Sequence, residues 1–527
     1  MTDRQSMRIC AAMSNKPGGI MMSLSRKSVA VLAVYLGTCM ATVAISIVTV
    51  ALPAIQAGLG AELAGLQWVV GAYALSLSAC MLSAGPIGDR YGRKRAWLFG
   101  IVLFTLGSAT SATAPSLAIL IAGCALQGVA GALVIPGALS ILAQAFPNPA
   151  ERAHAIGGWS SFSAVSLILG PMLGGILVDT VDWRSVFLIN LPVGAVALGL
   201  GLVGIDESAD PDHAALDPAG QVLSVVLLGA LTYGFIAASG GWTAPATLSA
   251  FGVAGAALLL FVVVERRAAR PLVPVDLFRD LAFVAVNFAS FALGFSGYSS
   301  LFLFSLFLQQ AQGWSAAQAG SGIAPVFVVA ATGSLLFGRW AARFGLRRLM
   351  IVGYVLLGVA MLGMSSFTEA TPYAVIAPLF ALLGAGLGLS VPATGASTMA
   401  VAPRERSGIA SATMNALRQS GMTISIALLG TVLATTATAS LTSALMNANV
   451  GNAAELAAIA IRRHEMPGGL GIAPDTFHAM LASALARGFS AAAALAGLFA
   501  LLAAAMLAAA ALQARRAQPG SALARET

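Results

Sequence analysis

The chain has 527 residues, of which 58% are hydrophobic and only 9% charged, and its mean hydropathy is +0.88. A soluble domain carries about a quarter charged residues, so most of this chain is built for lipid. Its net charge of +8 then reads as the basic bias of loops beside a membrane, and a nucleic-acid partner is not expected.

A membrane span needs about 20 apolar residues. Read on that basis, the chain gives fourteen: 28–55, 65–86, 96–114, 116–143, 155–178, 185–205, 217–239, 245–264, 281–308, 317–340, 348–367, 372–400, 407–437 and 485–512. The fold class is therefore all-α, a polytopic membrane protein. A polar tail, 1–27, precedes the first span; it contains Met7, Met13, Met21 and Met22, so translation has several candidate starts. The first apolar run is too long for the core of a cleavable signal peptide. A second tail covers 513–527, and a long loop, 438–484, separates the last two spans, with a polar helical pattern around Asn452 to His464. That loop reads as a surface elaboration. Cys39, Cys80 and Cys124 lie in apolar runs; with Cys10 they lack metal-type spacing and read as packing residues, so no metal is expected. No GxxxxGK[ST] loop occurs, so no built-in ATP motor is expected either.

Between spans 2 and 3 lies GPIGDRYGRKRAWL, with Gly85, Gly88, Asp89, Arg90, Gly92, Arg93, Lys94 and Arg95 in quick succession. A loop this short must reverse at once, which the glycines permit, and its charges must stay outside hydrocarbon. A fainter copy follows 253 residues later, where Gly338, Arg343, Gly345 and Arg348 fall on Gly85, Arg90, Gly92 and Arg95, and Ala342 replaces Asp89. Two copies of one loop imply two copies of one bundle. Spans 1–6 (28–205) and 9–14 (281–512) would be the related halves, with the pair 7–8 inserted between them over 206–280. Charge sets the orientation. With both termini cytoplasmic, 23 of the 28 Lys and Arg lie on the cytoplasmic side, as the positive-inside rule requires. The 6–7 loop breaks this pattern with Asp206, Glu207, Asp210, Asp212 and Asp217.

Span 5 carries Gly170, Pro171, Gly174 and Gly175 as GPMLGG, followed by Asp182, Trp183-Arg184 and Phe187 to Pro192. Small residues at this spacing let helices approach closely in lipid, and the proline frees a backbone carbonyl and permits a bend. Span 13 opens Arg406-Ser407-Gly408 and continues to Asn415, Arg418 and Gln419. Arg418 lies about 16 Å into that helix at roughly 1.5 Å per residue, close to the midplane. A charge at that depth normally faces a cavity.

The loop after span 2 resembles the signature of the major facilitator superfamily. GPxxGG with WRxxFLINLP, and NxxRQ in span 13, resemble its fourteen-helix drug:proton antiporter branch. The resemblance implies a secondary transporter of the multidrug efflux type, not an enzyme, in a bacterial plasma membrane, with a small-molecule substrate, the proton as coupling ion and no cofactor; a monomer is expected. It implies that Asp89 latches the cytoplasmic side by docking on the start of span 13 near Ser407, and that the substrate site lies at the midplane between the halves. Candidate lining residues are Gln127, Asn287, Tyr298, Asn415, Arg418 and Gln419.

Three positions depart from the branch. Ala44 and Gly71 stand where an Asp is usual, and Cys124 where an Arg is usual. Losing acid and base together avoids stranding one buried charge. The remaining acids fall at span ends or in loops, which leaves a facilitator or metabolite exporter without proton coupling as the alternative. An Arg418 without a carboxylate implies neutral or anionic substrates.

Overall fold

The computed structural model describes residues 26–209, 217–268, 273, 275–403, 406–468 and 471–516. Cys10, the alternative start methionines, Asp210 and Asp212 lie outside these residues, as does most of the two tails. Among the described residues there are helices and no strands. Fourteen helices are long and apolar enough to cross a membrane: Arg26–Leu59, Leu63–Tyr91, Arg93–Ala112, Leu117–Ala145, His154–Thr180, Ser185–Gly204, Pro218–Gly240, Pro245–Arg267, Leu281–Ala311, Ala316–Phe344, Leu346–Met364, Tyr373–Val401, Gly408–Asn447 and Pro474–Gln513. They are spans 1 to 14. An even number puts the start of span 1 and the end of span 14 on one face of the bundle, called here the tail face.

The packing repeats with an offset of eight spans. Span 4 packs on spans 2 and 3, and span 1 on span 5; correspondingly span 12 packs on spans 10 and 11, and span 9 on span 13. The inserted pair packs on itself, and span 7 lies against both span 2 and span 13. Near the tail face, Gln221 of span 7 donates to the Ala79 carbonyl (2.6 Å) and accepts from Ser83. At the far end of the same helix the Phe235 carbonyl accepts from Thr431 of span 13 (2.7 Å). Outward faces are apolar: Leu335 and Leu259 are 76% and 70% exposed. In water such surfaces would drive aggregation; around a membrane bundle they are the lipid contact.

Two expectations are corrected. Spans 13 and 14 run past the apolar windows, to Asn447 and from Pro474, so the loop between them shrinks from 438–484 to 448–473. Leu441 and Leu445, with Phe477 and Leu481, are fully buried there, so packing extends the helices beyond the hydrocarbon length. The loop keeps one helix, Ala453–Arg463, bounded by Asn452 and His464 with left-handed φ of 55° and 56°. It is also more than a surface elaboration: Gln56 at the end of span 1 donates to the Arg462 carbonyl (3.2 Å), and Arg463 pairs with Glu62 at 3.8 Å. The loop helix thus ties the second half to the first.

Candidate functional site

The loop after span 2 is built differently from the expectation. Span 2 stays helical through Gly85 and Gly88 to Tyr91, and Gly92 alone makes the reversal, at φ 105°. Gly345 does the same in the second copy, at φ 85°. Only glycine reaches that region without strain. Asp89 accepts a hydrogen bond from Arg93 Nε at 2.8 Å, and Arg93 also donates to Gln144 (2.9 Å). Among the described residues Asp89 makes no bond to span 13. Arg90 is exposed and stacks over Tyr91, 5.7 Å from its ring centroid.

The acidic 6–7 loop now has a role. Glu207 accepts from the amides of Lys94 (3.1 Å) and Arg95 (3.2 Å), the exposed start of span 3, and Asp206 pairs with Arg26 at 2.8 Å. Anions at a helix start are favourable, so this loop offsets the basic cluster locally.

The halves meet along a seam that begins at the midplane. Ser78 of span 2 lies 2.8 Å from Ser420 Oγ and donates to the Ala416 carbonyl (3.1 Å). Gln67, nearer the opposite face, donates to the carbonyls of Ile426 (3.2 Å) and Ala427 (3.0 Å). Gly430 leaves the space that Gln67 fills; a Cβ there would overlap its amide. Between spans 1 and 9, Ser305 donates to the Thr49 carbonyl (2.6 Å), Gln309 to Val50 (3.0 Å) and Gln310 to Gln56 Oε1 (2.7 Å). Every inter-half hydrogen bond and ion pair among the described residues lies between the midplane and the opposite face. The seam is closed on that side.

The GPMLGG motif forms one corner of the seam. Gly170 and Gly174 face Ser46 and Ile47 of span 1, whereas a Cβ on Gly175 would overlap the Ala316 carbonyl of span 10. Gly320 in turn receives the Pro171 carbonyl so closely that a Cβ there would overlap it. One motif therefore packs within its own half and across to the other.

At the midplane the candidates divide. Asn415, Arg418 and Gln419 share a face of span 13 at three- and four-residue spacing. Arg418 has one long contact, Nη2 to Met414 Sδ at 4.0 Å, while its Nε is buried without a hydrogen-bond partner. Its backbone is locked against span 9, because a Cβ on Gly294 would overlap the Arg418 carbonyl. Tyr298 ends a wide π-type turn, Leu293–Tyr298. Such turns often accompany functional sites. The Tyr354 hydroxyl sits 2.7 Å from the Ala289 carbonyl and 2.9 Å from Thr394 Oγ1. Tyr354 is fully buried, so these bonds tie span 11 to spans 9 and 12. Asn415 and Asn287 donate to their own helices, to Ser411 (3.0 Å) and Phe283 (2.9 Å), and the Asn287 Oδ1 is buried without a partner. Gln127 donates to Ser108 (2.7 Å), and Gln419 accepts through its carbonyl from Thr423 (3.0 Å).

Two of the three substituted positions converge. Ala44, Cys124 and Gln127 line one void of about 10 Å³ against Met422 of the other half, room for a single water at most. Gly71 has no atom within 4 Å of where a Cβ would sit. The positions of the absent acid and base, 44 and 124, are thus neighbours in space.

Two six-span repeats closed against each other along one side give the architecture of a multi-pass secondary transporter. The comparison with known proteins makes this specific. The Major Facilitator Superfamily model matches residues 34–426, and the chain belongs to that family. It is 38% identical to the multidrug resistance protein Stp of Mycobacterium tuberculosis (strain CDC 1551 / Oshkosh), over 74% of this chain and 72% of that protein. It is 35% identical to the methylenomycin A resistance protein of Bacillus subtilis (strain 168), over 80% and 91%, and 34% identical to the tetracenomycin C resistance and export protein of Streptomyces glaucescens, over 76% and 75%. These relatives agree with the drug:proton antiporter branch that the motifs resemble. The fold is also shared with a bacterial homolog of the human lysosomal transporter Spinster in an inward-facing, unoccupied conformation, at TM-score 0.61 and 19% identity, covering 93% of this chain and 99% of that one.

Proposed function

We propose that the protein exports small organic compounds of the drug or antibiotic type across the bacterial plasma membrane by alternating access, driven by the proton gradient. The tail face is cytoplasmic in this reading, because that assignment puts 23 of 28 Lys and Arg inside. The observation that carries it is the one-sided seam, bonded from the midplane to the opposite face above an Arg418 that no carboxylate among the described residues neutralises. Rocking of the halves would break the seam and bring Asp89 towards the start of span 13, whose Ser407 side chain lies outside the described ones. An unpaired guanidinium favours neutral or anionic substrates and repels cationic ones. The relatives' names, which speak of resistance and export, support the direction of transport.

A second reading, a facilitator without proton coupling, draws on the void between Ala44 and Cys124 and on the open space beside Gly71. Efflux of a substrate panel, with and without a protonophore, separates the two. Gradient-dependent export of neutral and anionic compounds is expected, with Arg418→Gln lowering anion export about tenfold, the worth of one hydrogen bond to a charged group. Rates that ignore the protonophore select the facilitator. Tight binding of cationic dyes without competition from anions would overturn the charge preference.

A further inference from the structure

We propose that Asp179 is a gate residue of the transport cycle: from the first half it caps the start of span 10 in the second, and that helix end is complete only while the opposite face is closed. The inference rests on the alternating-access reading.

The amide donors at the start of a helix have no partners within it and need caps. At the start of span 10 they divide in an unusual way. Ser315 and Gln318 serve each other, the Ser315 amide donating to Gln318 Oε1 (3.0 Å) and the Gln318 amide to Ser315 Oγ (3.3 Å). The amides between them have no local acceptor. Ala316 donates to Asp179 Oδ1 at 3.2 Å and Ala317 to Asp179 Oδ2 at 2.9 Å. The Ser315 hydroxyl, whose oxygen already accepts from Gln318, sends its own proton to Asp179 Oδ2 at 2.7 Å. One carboxylate takes three donors, all on the other half.

No neighbour shares the task. Asp182 is held by Arg184 at 3.1 Å in its own loop, and Thr180 donates to Ile176 of its own helix (2.6 Å). The corner is preset by backbone contact, Gly175 on Ala316 and Gly320 on Pro171, so the carboxylate arrives without displacing either helix. Asp179 is exposed to solvent. Opening therefore exchanges these bonds for water, and the contact biases the equilibrium without locking it.

The test uses the full chain with its native cysteines replaced and a reporter Thr49→Cys, on the span 1 turn that faces Ser305 and Gln309 across the seam. A membrane-impermeant thiol reagent is applied from the opposite face, with no substrate and no gradient. Asp179→Ala is expected to raise the labelling rate about tenfold by shifting population towards the open state. Asp179→Asn, which keeps one acceptor oxygen but turns an NH₂ towards the donors, should fall between, and Asp179→Glu should restore most of the protection. Unchanged labelling in a folded Asp179→Ala protein would overturn the proposal. If that variant does not fold, Ser315→Ala, which removes one bond, is expected to raise labelling two- to threefold; no rise would equally overturn it. Because neither substrate nor proton enters the assay, the gate can fail while the exporter reading stands, and the reverse.

Discussion

Asp89 and Asp179 sit at opposite ends of the first half, and the fold uses them differently. Asp89, in the basic loop with the most visible motif, is turned inward to Arg93 of the same half. Asp179, beyond the GPMLGG run, reaches across to three donors of the other half. In this conformation the contact between the halves is made by the second acid, at the other end of the bundle from the first. If the halves rock as proposed, each end needs its own closing contact, and this conformation displays those of one end.

The comparison breaks hardest at the glycines. Gly175→Val would drive its Cβ into the Ala316 carbonyl, which as backbone cannot swing aside. Overpacking of this kind costs about 1–3 kcal/mol, so a tenfold or greater loss of efflux is expected. Gly338→Ala, near the tail-face end of span 10 and with nothing within 4 Å, should transport at the wild-type rate. Equal losses in the two would mean that the close approach at the closed corner is unimportant.

A smaller effect sharpens the role of Asp89. As a half-exposed partner of Arg93 it contributes about 0.2–1 kcal/mol to stability, so Asp89→Asn should barely shift the melting temperature. If it also docks on span 13 in the other state, the same substitution should slow efflux severalfold while Arg93→Gln does so less. Matching losses in both variants would reduce Asp89 to the partner of Arg93.

The smallest expected effect belongs to the loop helix over the closed end. Burial, and secondarily the nearby His478, holds His464 below its ordinary 6.5. The unfolded loop therefore takes up a proton first. The contribution of His464 is complete above pH 6.5 and is lost as pH falls below that value. Amide exchange over 453–463, corrected for intrinsic rates, should quicken between pH 7 and pH 5. His464→Asn, which tolerates the left-handed φ of 56°, should flatten that dependence.

The fourteen spans were legible because hydrocarbon thickness imposes a length that hydropathy reports directly. Ends set by packing were not. The Thr- and Ala-rich continuation of span 13 is too polar for a hydropathy window yet stays helical against span 14. The role of Asp179 had no signature, since two of its three partners are backbone amides, which every residue but proline has, about 136 residues away. Glu207 was hidden for the same reason: it binds the amides of Lys94 and Arg95, while charge counting saw only an acid on the wrong side. Side-chain partners within a motif can be read; backbone partners across a fold cannot.

Span 7 grips Ala79 and Ser83 of the first half near the tail face, and Thr431 of the second half towards the other. It therefore crosses the junction of spans 2 and 13 as a brace and walls that side of the molecule off from the surrounding lipid. Among the described residues the junction of spans 5 and 10 has no such brace. The two-helix insertion thus covers one of the two junctions between the halves and leaves the other uncovered, which makes a nearly twofold-symmetric bundle lopsided.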